Sequence, residues 1–134
     1  RWFKKHGYIR ADKNGMLELV WKPFVNDAEA PKLIKLKKKP IFEKGKVSVT
    51  CFRNGWCVAQ NLSCERMKRA INAANKEFNT NIQYTEIDTD IKENLYKWGI
   101  ADAIFIDDRI VRTGPPPKYK KLQKLLKKKM KKIK

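Results

Sequence analysis

Residues 58 to 78 place Cys64, Met67, Ile71, Ala74 and Phe78 at intervals of three or four, which lines one face of a helix. Directly upstream, Val47 to Phe52 alternates apolar and polar side chains, the period of a strand. A strand that runs into a long amphipathic helix opens an alternating α/β domain, and the rest of the chain continues the alternation. "IQYTEID", residues 82 to 88, forms a second strand; Thr89 caps a short helix through "DIKENLYKW", and Gly99 ends it. "AIFID" and "RIVRT" flank Asp107-Asp108 as a hairpin, then Gly114 and three prolines break the chain. A last helix, residues 118 to 134, carries Tyr119, Leu122, Leu126, Met130 and Ile133 along one stripe, with Leu125 beside it. The predicted order over residues 41 to 134 is β-α-β-α-β-β-α.

The segment before this domain reads differently. "RWFKKHGY" is the end of a helix stopped by Gly7, with Trp2 and Phe3 as apolar contacts. "YIRAD" and "MLELVW" form a hairpin around Lys13-Asn14-Gly15, where Asn-Gly supplies the positive dihedrals of a tight turn. Residues 22 to 40 carry three prolines and no sustained periodicity, so a boundary falls near Pro40. The expected organisation is a helix end and hairpin (1–24), a linker (25–40) and the alternating domain (41–134).

Several function classes drop out on composition. A chain of 134 residues with 42% hydrophobic residues fills one core, but its 32 Lys+Arg against 14 Asp+Glu give a net charge of +18, which draws acidic partners. No apolar run reaches the roughly 18 residues of a membrane span, and the first residues lack the apolar centre of a signal peptide, which reads as a cytoplasmic protein with no membrane partner. The chain opens on Arg1 within a patterned segment, as a piece of a longer protein would. The three cysteines, Cys51, Cys57 and Cys64, are an odd number and argue against a disulfide framework. With His6 the only histidine and no CxxC pair, a structural zinc or other metal site is not expected.

With a cysteine at the start of its first helix, the β-α-β-α-β-β-α order resembles the thioredoxin fold: parallel first strands, a closing hairpin, and helices on both faces. The words "GWCVAQN", "EIDT", "WGIADAIFID" and "VRTGPPP" are similar, over about residues 46 to 133, to the YoaP-like thioredoxin-like domain that follows the catalytic domain of certain prokaryotic GNAT N-acetyltransferases. Upstream, "RWFKKHGYIRADKNGMLELVWKPF" resembles the end of a GNAT domain, where "F-Y-x-K-x-G-F" closes the last helix before two final strands. The resemblance implies an upstream GNAT catalytic domain as partner and acetyl-CoA as that parent's cofactor. The Gly-rich pyrophosphate loop of such enzymes lies upstream of the matching segment, so no cofactor is expected in this chain. Where many GNAT enzymes place a tyrosine acid, this chain has Phe3, which has no proton to give.

Thioredoxin chemistry needs a reactive cysteine at the helix N-terminus and a second three residues on. Here those positions are Cys57 and Gln60, and Gln cannot resolve a mixed disulfide. Cys64, seven residues along the same helix, lies roughly 10 Å from Cys57 between alpha carbons, beyond the roughly 7 Å limit for a disulfide. Cys51 and Cys64 therefore read as core residues. Cys57 reads either as an inherited thiol in a binding pocket or as the centre of single-thiol chemistry, since a helix N-terminus favours thiolate. The stretch before the third strand has Ala101-Asp102-Ala103 where thioredoxins carry a cis-proline.

In a thioredoxin-like layout three loops meet beyond the first strand: 54–60, 100–103 and 112–117. The resemblance thus gathers Trp56, Cys57, Gln60, Asn61, Asp102, Arg112 and Thr113 into a candidate cleft for a small-molecule or protein substrate. The tail "KYKKLQKLLKKKMKKIK" carries ten lysines and no acid. It reads as the solvated face of the last helix, with non-specific nucleic-acid binding as the alternative use of that charge.

Overall fold

The structure, a computed structural model, describes residues 2–111 and 115–132. It divides into two units, Arg1–Lys35 and Leu36–Lys134. The division falls inside the proline-bearing segment, and hydrogen bonding explains where. The Asp12 carboxylate accepts the Leu33 N–H at 2.9 Å, which ties one end of the segment to the hairpin. The N–H groups of Lys37 and Lys38 donate to the Trp98 carbonyl at 3.0 and 3.3 Å, which ties the other end to the second unit.

The first unit consists of a short helix α1 (Trp2–Lys5) and a hairpin of β1 (Ile9–Asn14) and β2 (Leu17–Trp21). Gly7, at φ +82°, turns the chain out of α1. The hairpin turn sits one residue later than expected. Asn14 pairs with Leu17 inside the ladder, so Gly15-Met16 forms the turn, and Gly15 alone supplies the positive φ, +59°. The hydrogen bond from Leu33, and then that from Lys13, hold the Asp12 carboxyl below the usual carboxylate range.

The second unit carries β3 (Ser48–Arg53), α2 (Val58–Phe78), β4 (Gln83–Asp88), α3 (Lys92–Trp98), β5 (Ala103–Ile106), β6 (Arg109–Val111) and α4 (Tyr119–Met130). The sheet order is β4-β3-β5-β6. β3 runs parallel to β4, from Ser48↔Gln83 to Arg53↔Asp88, and antiparallel to β5, which pairs with β6 as a hairpin. A parallel β-α-β start, an antiparallel closing hairpin and helices on both faces make this a thioredoxin-like α/β fold. No helix among the described residues is long and apolar enough to cross a membrane.

Two apolar layers explain why β3 is continuously buried rather than alternating in exposure, as its pattern predicts. Val49 and Cys51 join the layer under α2 and α4, with Cys64, Met67, Ile71, Leu122 and Leu126. Phe52 points the other way, into a layer with Ile100, Ala103 and Phe105, where it meets the Trp98 and Phe105 rings edge-on at 5.2 and 5.8 Å. A central strand covered on both faces has no solvent side, so its Thr50 is buried as well.

The helix ends differ in how they are made. α2 stops at Asn79, in the left-handed region at φ 48°, and α3 stops at Gly99, at φ 69°. Thr89 does not cap α3. The N-cap is Ile91, which offers no side-chain hydrogen bond, while Thr89 is 5% exposed and engaged elsewhere. α4 buries Leu122, Leu126 and Met130 as its stripe predicts, and Ile133 lies outside the described residues.

Candidate functional site

β3 ends at Arg53, and the four residues that follow decide how α2 begins. Asn54, 2% exposed, accepts the Cys57 N–H on its side-chain oxygen at 2.8 Å and donates to the Ala101 carbonyl at 3.4 Å. Gly55 donates its N–H to the Asp90 carboxylate at 2.7 Å. A Cβ on Gly55 would stand 2.6 Å from that carboxylate oxygen, so a side chain there would push the Asp90 carboxylate from its present position. Trp56 is left 77% exposed at the tip.

Cys57 is the N-cap residue of α2, in extended conformation at φ −94°, ψ 94°, and half-buried. Its carbonyl accepts the first helical hydrogen bond, from the Asn61 N–H at 3.0 Å. The Cys57 side chain makes no capping hydrogen bond to the N–H groups that open α2. No disulfide joins any of the three cysteines.

Thr89 is the knot that holds neighbouring loops to this point. Its hydroxyl donates within reach of two carbonyls, Ala101 at 2.5 Å and Arg53 at 3.0 Å, and its N–H donates to Arg53 at 2.8 Å. Arg66 holds the next loop, donating to the Pro116 and Pro117 carbonyls at 3.4 and 3.2 Å. From the sequence alone Asn54, Asp90 and Arg66 are not singled out, and Thr89 is assigned to the cap of α3 instead. The Asn54-Gly55 dipeptide was the available signal, since Asn-Gly marks a tight turn.

Of the expected site residues, Trp56, Cys57, Gln60 and Asn61 lie on the same loop and first turns of α2. Gln60 turns inward, donating to the Phe52 carbonyl at 2.7 Å and the Ala103 carbonyl at 3.1 Å, with the Cys64 sulfur at 3.7 Å. Phe52 and Ala103 are paired at the end of the β3–β5 ladder, so this amide bridges the carbonyls of the two strands there. The side-chain oxygen of Asn61 is buried with no hydrogen-bond partner among the described residues. Asp102 is exposed on the loop before β5. Arg112 and Thr113 lie outside the described residues.

The surface around the thiol is apolar. Trp56 and Val58 are 77% and 80% exposed on either side of Cys57, and Leu62 follows one turn on. Ile91, also exposed, adjoins Asp90, whose contact with Gly55 draws the start of α3 to the same loop. A depression of about 340 Å³ lies at the other end of β3 and β4, lined among others by Lys46, Val47, Ile82 and Met130. Among the described residues, no group of three or more His, Cys, Asp and Glu side chains is placed to hold a metal ion.

Comparison with known proteins adds solved structures only. No protein-family model matches the chain, and no curated protein matches it. The zinc-bound form of human ERp44 aligns with 15% identity and a TM-score of 0.49, over 63% of this chain and 27% of that one. Thioredoxin-2 of the malaria parasite, a component of its protein secretion machinery, aligns with 17% identity and a TM-score of 0.41, over 70% of this chain and 99% of that one. The oxidised thioredoxin of Plasmodium falciparum aligns with 18% identity and a TM-score of 0.39, over 63% of this chain and 82% of that one. The strand order and ladder directions carry the fold assignment by themselves.

Proposed function

We propose that the second unit is an accessory thioredoxin-like module that binds a protein or small-molecule substrate at the loop bearing Trp56 and Cys57, and that it runs no dithiol cycle. The observation that carries this reading is Gln60. The position where a resolving thiol would stand holds an amide engaged by the Phe52 and Ala103 carbonyls, so a mixed disulfide on Cys57 has no neighbour to release it. The exposed apolar flanks of Cys57 suit the docking of a partner segment, with the thiol beneath it. On the resemblance of residues 1–24 to the end of a GNAT domain, the module serves an acetyl-CoA-dependent N-acetyltransferase and positions its substrate.

The test of the chemical half is reduction of insulin disulfides with a thiol reductant as electron source. The wild-type chain is expected to match the protein-free rate, and Gln60→Cys to exceed it. Turnover by the wild type would overturn the reading. The parentage is tested by the residues encoded upstream of Arg1, which must contain a Gly-rich acetyl-CoA loop.

A second reading, single-thiol redox chemistry, is favoured by the half-buried sulfur at the opening of α2. Glutathione-dependent release of glutathionylated substrate, abolished in Cys57→Ser, would establish it in place of the binding module. Sequence-independent nucleic-acid binding is the third reading and rests on charge alone.

A further inference from the structure

The net charge of +18 has a location in the second unit. No Asp or Glu follows Asp108, so every charged side chain of α4 is a lysine. The helix sorts these lysines by angle. Leu122, Leu126 and Met130 take the inner stripe into the core, and Lys120, Lys121, Lys124, Lys128 and, one residue past the helix end, Lys131 lie exposed on the opposite side. Lys127 and Lys129, on the flanks, are engaged by Glu77 and Asp107. Among the described residues no carboxylate pairs with the other five. α2 runs alongside in the same direction, since Arg66 reaches the Pro116 and Pro117 carbonyls, Arg69 stands 5.7 Å over the Tyr119 ring and Glu77 meets Lys127. Arg69, itself exposed, adds a guanidinium at the Tyr119 end.

A lysine face kept for solubility alone alternates with acids, as α2 does where Glu65 meets Lys68. On α4, Lys120, Lys124 and Lys128 follow one another at i,i+4, a spacing at which like charges weaken a helix and bound anions relieve the repulsion.

We infer that the lysine face of α4 docks on the phosphate backbone of a nucleic-acid duplex without reading its sequence, which rests on the nucleic-acid reading of the charge and gives it a surface.

The geometry selects the partner. At helical rise the row from Lys120 to Lys131 spans about 16 Å, over which a duplex carries about ten phosphate charges, so each lysine meets one. A bilayer surface calls for exposed apolar side chains that enter the headgroup layer, whereas α4 has turned its apolar stripe inward, with Leu122 and Leu126 0% exposed. A single strand calls for open aromatic rings on which bases stack, and the aromatic ring of α4, Tyr119, is half-buried with Arg69 over it. Lysine offers a point charge and no planar fork, so contact follows the backbone rather than the bases.

The full chain is titrated against a fluorescent mixed-sequence DNA duplex by anisotropy over a series of salt concentrations. Five neutralised phosphates give a log–log slope of about −4.5, or about 500-fold weaker binding at four times the salt. Replacing Lys121, Lys124 and Lys128 by Gln together should reduce the slope by about 2.7. Replacing Lys37, Lys92 and Lys97 by Gln removes the same charge from the α3 side of the sheet and should leave the slope unchanged. Glutamine keeps the helix propensity of lysine, so both variants should retain the wild-type circular dichroism. In the wild type, bound duplex should protect Lys121, Lys124 and Lys128 from acetylation and leave Lys92 and Lys97 reactive. Absence of duplex binding even at low salt would overturn both the nucleic-acid reading and this surface. Equal losses in the two variants, or α4 lysines that stay reactive in the complex, would overturn the surface alone. Tighter binding of a single strand, or of phosphatidylserine vesicles, would overturn the duplex as its partner.

Discussion

Gln60 shows what spacing alone conveys about a residue and what it leaves out. Three positions after Cys57, it was legible as the residue standing where a second thiol would, and hence as part of the loop cluster. That its amide turns inward depends on two carbonyls at the end of the β3–β5 ladder, and their location follows from strand register, which no local pattern encodes. Gln60→Ala leaves both without this donor, and a loss of about 1 to 3 kcal/mol is expected in urea unfolding. Cys57→Ser, beside it but bonded among the described residues through its backbone, should leave the midpoint nearly unchanged. Equal losses would mean that the loop and not the amide holds the ladder end. Glu86 gives a pH prediction on the same scale. Burial works to raise its pKa but is outweighed by the hydrogen bonds from Lys68 and Tyr84 and by the charges of Lys68 and Arg53, so the folded pKa lies below the usual carboxylate range. A lowered folded pKa means stabilisation fully present above the unfolded value and lost as pH falls through the folded one. Glu86→Gln should therefore lower stability at pH about 7 and flatten its decline below pH about 4.5. An unchanged acid slope would show that Glu86 does not contribute to it.

At the scale of elements, periodicity located the helices and strands because each has an apolar face, and it erred where burial or hydrogen bonding is set from outside the element. β3 carries a period-two pattern, yet α3 and its Trp98 cover the face that the pattern leaves to solvent. Thr89 has the chemistry of an N-cap, yet the carbonyls of Arg53 and Ala101, far apart in sequence, claim its hydroxyl. α4 shows the same division. Its stripe was plain in the sequence, but its lysines look alike there and differ in the structure. Lys129 donates to Asp107 at 2.7 Å, and that carboxylate is 2% exposed, at φ 55°, and also accepts the Ser48 N–H at 3.0 Å. Lys127 meets Glu77 at 2.8 Å with the two side chains 42% and 48% exposed. Lys129→Ala removes a charged partner from a buried acceptor and should cost about 1 to 3 kcal/mol, whereas Lys127→Ala should cost about 0 to 1 kcal/mol. Chemical denaturation of the two variants side by side decides it, and equal costs would mean that Asp107 is satisfied by Ser48 alone.

For the whole molecule, the proline-bearing segment is where the sequence sets a boundary, and hydrogen bonding determines how much each part of the chain can hold by itself. Among the described residues of the first unit none is buried. A two-stranded sheet with no buried side chain has little apolar area to set against the conformational entropy of ordering it, and such a hairpin is marginal in water. Its ladder, its bulge near Arg10 and the Asp12–Leu33 bond are all local and add little. Both buried layers, by contrast, are formed wholly by residues between Val47 and Met130, and they share β3 and β5, so neither can open without exposing the other. A fragment of residues 36–134 is therefore expected to fold and to unfold in urea as one transition, with circular dichroism and tryptophan fluorescence coincident because Trp98 sits in the second layer. A fragment of residues 1–35 should show little amide protection and no cooperative melt. A protected hairpin in the short fragment, or separate transitions in the long one, would mean that the stabilising contacts are apportioned differently between the two parts of the chain.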